Sequence, residues 1–237
     1  PTASPTAAWA WNPPGKVTAP ILLYHRIETS TTPEKIRVSP EAFRAQMEKL
    51  VEWGYTPISI SLLVEALVHG ANLPERPVVI TFDDGQRTVF TEAFPVMQDL
   101  NMTGVVYLLS RGIYSDPNLM NVADLKTLIA AGWEVGSHSQ SHPDLTLSHD
   151  LINQEIAQSR TELETALHTS VRTFAYPFGA MDELTSNYVV NHYDAGLGLG
   201  KSWEHTIWNL HYLSRIGVYG TYTLEDFARL LPWSDVP

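Results

Sequence analysis

The stretch "VVITFDDGQRT", residues 78–88, sets two carboxylates side by side, Asp83 and Asp84, at the end of a run of β-forming residues. Asp and Gly are common where buried strands turn. Adjacent carboxylates, however, oppose each other's ionisation unless positive charge lies between or beside them. Further on, "GSHSQSHPDL" carries His138 and His142 at a spacing of four. One turn of helix, or a tight loop, would bring both imidazoles to one side. With Asp84 they make a set of two imidazoles and one carboxylate, three protein ligands that leave a position open for water. A divalent cation there would neutralise one carboxylate and lower the cost of ionising the other. Two histidines four apart are by themselves a weak signal, since surface histidines often have that spacing. The strand-end carboxylates give the pair its weight.

The chain has no cysteine. Disulfides, thiolate metal sites and cysteine nucleophiles are therefore excluded, and any metal must sit on His and carboxylate. The compartment stays open on this ground. Fifteen Lys and Arg against 26 Asp and Glu give a formal charge of −11. Such a surface argues against nucleic acid or an anionic membrane as partner and suits a neutral or cationic one, although an ordinary acidic enzyme has the same balance. No run approaches the roughly 18 apolar residues of a membrane helix, so no integral membrane segment is expected. With 237 residues, 44% hydrophobic and 17% charged, one domain with a full core is expected. The chain begins at Pro1 rather than Met, so a leader or anchor could precede it.

These residues need a frame to hold them. Residues 1–19, rich in Pro, Ala, Thr and Ser without periodicity, read as a linker or tail, and 20–237 as the folded unit. Strand candidates follow at 21–25, 78–82, 104–109, 133–138, 173–177, 195–199 and 214–218, several of them near-continuous apolar runs of the kind buried on both faces. Ser39-Pro40 starts a helix that presents Phe43, Met47, Leu50 and Val51 on one face and closes at Gly54. A second is expected over Arg87–Leu100, kinked or delayed by Pro95. A third, "NVADLKTLIAAG", ends at Gly132, and the longest begins near Ser148 with Ile152, Ile156, Leu163 and Leu167 at helical spacing. Seven strands with intervening helices, and no Gly-rich nucleotide loop, predict an irregular (β/α)7 barrel, TIM-barrel-like. In such barrels chemistry gathers at the C-terminal ends of the strands. His25, Asp83-Asp84, His138 and Pro177-Phe178-Gly179 all fall at that rim.

"TFDDG", "SHSQSH" and "FAYPFG" in that order resemble the polysaccharide deacetylases of carbohydrate esterase family 4, the NodB-like group, over nearly the whole chain from Ile21 onward. "LLYHRI", "SPEAFRAQMEKLVEWGY" and "LSRIGV" are most similar to its extracellular branch, which includes the poly-N-acetylglucosamine deacetylases of biofilms. The resemblance implies that 20–237 is a NodB-like catalytic domain and that Asp83 is the catalytic base. It implies Asp84, His138 and His142 as ligands of one divalent ion, zinc first, with cobalt, nickel or manganese also compatible with the set. It further implies that the Phe178 backbone amide faces the oxyanion, with Tyr176 flanking that loop. Two departures stand out. Ala175 occupies the place of the family's usual Arg, and Arg215 stands where a C-terminal His is expected. Arg215 could take over the orienting of Asp83, and His25 the general-acid role. The expected function is removal of N-acetyl groups from an N-acetylglucosamine polysaccharide, by a monomer that is secreted or held at a bacterial surface. An O-acetyl esterase on a plant polysaccharide such as xylan, or a silent glycan-binding domain, are the alternatives. Against the silent domain stands the complete set Asp83, Asp84, His138 and His142. His69, His149, His168, His192, His205 and His211 read as surface or loop residues, and Leu213 by position as an acetyl-pocket residue.

Overall fold

A computed structural model describes residues 8–29 and 35–234. Seven parallel strands form the frame: β1 Ile21–Tyr24, β2 Pro77–Phe82, β3 Val105–Leu108, β4 Glu134–Ser137, β5 Thr173–Ala175, β6 Ala195–Leu197 and β7 Ile216–Gly217. Their order is β6-β5-β4-β3-β2-β1-β7, so each strand lies beside its sequence neighbours and β7 returns to β1. Closure between β6 and β7 is partial. A bridge joins Leu197 to Leu213, and Gly198 and Gly200 donate to the carbonyls of Leu213 and Arg215. That makes the barrel irregular, as expected.

The strands alternate faces with a period of two. Leu22, Tyr24, Ile80, Phe82, Val106 and Leu108 join the apolar layer beneath the helices. Ile21, Val79, Val105 and Tyr107 share an inner cluster with Ile60, Leu63 and Leu67, which belong to the helix Ile60–Val68. Apolar residues on both faces explain the unbroken hydrophobic runs in the sequence.

Helix α1, Pro40–Glu52, starts where Ser39 Oγ accepts the Ala42 N–H, with Pro at its first position, where its missing donor costs nothing. Helix α2 is Ile60–Val68 and α3 Phe94–Asp99. Pro95 does delay α3: a π-helical turn, Val89–Ala93, precedes it. Helix α4 is Val122–Ala130, capped by Asn121 and Asp124, and Gly132 follows at φ +87°. The long helix expected from Ser148 is instead three pieces, a 3-10 turn His149–Leu151, a π-helical turn Asn153–Gln158 and α5 Ser159–Leu167. Helices α6, Glu183–His192, and α7, Leu224–Ala228, complete the set.

The reading of 1–19 as a tail needs correction where it can be followed. Residues 1–7 lie outside the described residues. Trp9–Asn12 pairs antiparallel with Ala71–Pro74, and Lys16–Thr18 with Glu204–Thr206. Val17 and Ala19 are fully buried. Strands of three or four residues are too short to show periodicity, which is why this segment read as linker. Among the described residues no helix is long and apolar enough to cross a membrane.

Candidate active site

Strand β2 delivers the carboxylates. The Asp83 N–H still donates to the Tyr24 carbonyl at 3.0 Å, so Asp83 is the last residue held by the ladder. Asp84 and Gly85 then both adopt φ of +66°, turning the chain away. Asp tolerates this left-handed conformation better than most residues. At Gly85 a Cβ would also meet Leu108 Cδ2 at 3.1 Å.

Strand β4 delivers the histidines. The His138 N–H donates to the Leu108 carbonyl at 2.9 Å. A tight loop, not a helical turn, then carries the chain to His142, with Ser139 at φ +72° and His142 at +65°. Ser139 Oγ accepts the His142 N–H at 2.9 Å. His138 Nδ1 lies 2.7 Å from the Ala175 carbonyl oxygen. A carbonyl only accepts, so Nδ1 carries the proton and Nε2 presents its lone pair. Burial holds the His138 imidazole below its usual range, hence neutral.

Asp84 Oδ1 is 3.7 Å from His138 Nε2 and 3.6 Å from His142 Nε2, and one ligand atom from each residue lies within 4.8 Å of the others. These gaps are long for hydrogen bonds. They are near the ~3.4 Å expected between ligands held at about 2.0–2.1 Å around one tetrahedral ion. Donor type, spacing and the fixed His138 tautomer therefore fit a divalent metal.

Asp83 has a different partner. Arg215 grips it bidentately, Nη1 to Oδ1 at 2.6 Å and Nη2 to Oδ2 at 2.7 Å, with Asp83 only 2% and Arg215 only 1% exposed. Arg215 Nε donates to the Gly198 carbonyl at 3.1 Å, and its guanidinium lies 5.4 Å from the centre of the Tyr107 ring. Burial pushes the Asp83 carboxyl up, but positive charge beside it, the Arg215 guanidinium above all, outweighs this and brings the pKa down to about 2. Asp83 is a fixed, ionised carboxylate 3.6 Å from His138 Nε2.

These groups open into one cavity of about 450 Å³, which His25, Tyr176 and Phe178 also line. His25 is half-buried and forms no hydrogen bond with the described residues, so no carbonyl or carboxylate among them fixes which ring nitrogen carries the proton. Phe178 sits at φ +58°, is 63% exposed, and meets the His142 ring edge-on at 4.5 Å. The turn around it is closed by Gly179 and Ala180 N–H groups, leaving the Phe178 N–H free of both bonds. Tyr176 is buried against Phe174 and Tyr212.

Two assignments change. Leu213 is buried in the inner cluster and does not line the cavity. His205 is fully buried, its Nε2 3.0 Å from the Ala19 carbonyl. Ile36 and Leu199 line the cavity unforeseen, and Tyr219, one of the aromatics whose ring could stack on a sugar, lines it too. They come from loops, where no periodicity marks a residue as facing inward.

An ionised carboxylate beside two histidines and an aspartate that could hold a metal ion, at the C-terminal rim of a parallel barrel, is an arrangement suited to hydrolysis. The polysaccharide deacetylase family profile matches residues 70–194, more than half of the chain, and the protein belongs to that family. It is 29% identical over 185 residues to YxkH of Bacillus subtilis (strain 168), covering 76% of this chain and 63% of that protein. Over 76 residues it is 40% identical to the poly-β-1,6-N-acetyl-D-glucosamine N-deacetylase of Escherichia coli (strain K12), covering 32% of this chain and 11% of that enzyme. The chain thus spans less than two thirds of these relatives' length. Among solved structures, the polysaccharide deacetylase BC0361 from Bacillus cereus superposes with a TM-score of 0.81 at 25% identity, covering 91% of this chain and 69% of that one.

Proposed function

We propose that the protein is a metal-dependent N-deacetylase of an N-acetylglucosamine-containing polysaccharide, acting as a monomer that is secreted or held at a bacterial surface. Residues 20–237 form the catalytic domain in this reading, with the strands at Trp9–Asn12 and Lys16–Thr18 packed onto it. The observation that carries it is the division of labour between adjacent carboxylates: Asp83 bound to Arg215, Asp84 grouped with His138 and His142. The similarity to the E. coli poly-N-acetylglucosamine deacetylase supports the substrate class.

Asp84, His138 and His142 would hold the ion, with zinc the first choice and cobalt, nickel or manganese compatible with the same donors. A divalent ion held there would supply Lewis-acid chemistry, polarising a carbonyl and lowering the pKa of a nearby water to about 7. Asp83 is the base. Arg215 occupies one lone pair on each of its oxygens and leaves others free to accept a proton from water. The Phe178 N–H donates to the developing oxyanion. His25, which lines the same cavity, protonates the leaving amine. The exposed Phe178 ring borders the opening on one side.

The test is acetate release from a panel of N- and O-acetylated glycans, with and without chelator. Release from N-acetylglucosamine polymers that stops on chelation and returns with metal is the expected result. Release from acetylxylan alone, or release indifferent to chelation, overturns the proposal.

A further inference from the structure

His142 reaches Asp84 from a loop with two residues in the left-handed region, Ser139 and His142. Such backbone is strained in any residue but glycine and persists only where its surroundings enforce it. What enforces it is Glu155, a carboxylate 1% exposed on the π-helical turn before α5. Its Oε2 accepts the N–H groups of both Gln140 and Ser141 at 2.9 Å, and its Oε1 accepts the Ser141 hydroxyl at 2.7 Å. Gln140 and Ser141 are two of the three residues between the two histidines. Two turns further along, Glu162 takes the Gln140 side-chain amide at 2.6 Å and the Ser110 hydroxyl at 2.6 Å. The turn is π-helical where it passes the loop, and such irregularities often mark functional positions.

We propose that Glu155 is a positioning residue for the metal site: its carboxylate clamps the Gln140–Ser141 backbone and so presets His142 for binding. The inference rests on the metal reading above. A preset ligand loses less freedom on binding, and losing such outer partners typically weakens metal affinity about 10–100-fold.

The experiment measures the zinc dissociation constant of the metal-stripped protein by competition with a chromophoric chelator, for wild type, E155A and E155Q. Near-UV circular dichroism of each stripped protein is recorded alongside. Gln keeps an oxygen for the two N–H groups and can meet the Ser141 hydroxyl. The expected result is zinc affinity about 10–100-fold weaker in E155A and restored to within about fivefold of wild type in E155Q, with native dichroism in all three. Unchanged affinity in E155A would overturn the proposal, because the loop would then stand without its clamp. Loss of native dichroism in E155A would overturn it too, because Glu155 would then hold the fold rather than the site. If wild type itself binds no zinc, the metal reading fails and the proposal goes with it, an outcome told apart from the others by the wild-type titration alone.

Discussion

At the scale of single residues, the two adjacent aspartates test the whole mechanism, because one backbone delivers them to different partners. Asp83→Asn keeps the shape and removes the base, and activity should fall by roughly 10²–10⁴ with the metal retained. Metal analysis of the purified variant decides it: loss of the ion along with activity makes Asp83 a ligand. His142→Ala should do the opposite, losing the ion and nearly all activity while its circular dichroism stays native, since the ligand sits on a loop and not in the core. His25→Ala should keep the metal and lose far more activity on amides than on an activated ester, whose leaving group needs no proton. Equal loss on both substrates would make His25 structural. Of these groups, Asp84, His138 and His142 were legible as a set because their spacing and strand-end position constrain them. The pairing of Arg215 with Asp83 spans 132 positions in the chain and depends on β7 returning to β1. From sequence it was an inference about roles, not a reading of geometry. Glu155 was invisible, being one acid among many on an amphipathic helix.

Elements were legible in proportion to how continuously they are buried. Several of the barrel strands, Ile21–Tyr24, Pro77–Phe82 and Val105–Leu108 among them, are near-continuous apolar runs and were readable as such. The π-helical turns at 89–93 and 153–158 were not, because a widened turn keeps nearly the same hydrophobic spacing. The ribbon joining Lys16–Thr18 to Glu204–Thr206 was missed as well, and it buries a titratable group. His205 Nδ1 is buried without a hydrogen-bond partner, and burial lowers the imidazole pKa to about 4 from an ordinary 6.5. The native state therefore resists a proton that the unfolded chain accepts. Stability is intact above pH 6.5 and declines as pH falls from there towards about 4. Between about pH 7 and pH 5 this one group should remove about 2 kcal/mol, at roughly 1.36 kcal/mol per unit. His205→Gln, which retains a side-chain N–H for the Ala19 carbonyl, should show a visibly smaller drop in urea midpoint over that range. Parallel losses in both proteins would acquit His205.

For the molecule as a whole, charge is the property that composition fixes without any fold. At −11 the protein attracts cations, and the proposed reaction manufactures one, since each acetyl group removed leaves an amine that is protonated near neutral pH. Substrate and product therefore differ in how they feel the protein's field. A neutral, fully acetylated oligomer should bind with little dependence on ionic strength. A glucosamine oligomer of the same length should inhibit, and its inhibition should weaken steeply as salt rises, because surface attraction is screened within about 10 Å at about 0.1 M. The measurement is the inhibition constant of the amine oligomer at low and moderate salt, set against KM for the acetylated oligomer under the same conditions. A strong salt dependence of the first and a weak one of the second would show that partly processed polymer is retained electrostatically. If both respond alike, the acidic balance concerns solubility alone, and contacts within the cavity govern how the polymer is held.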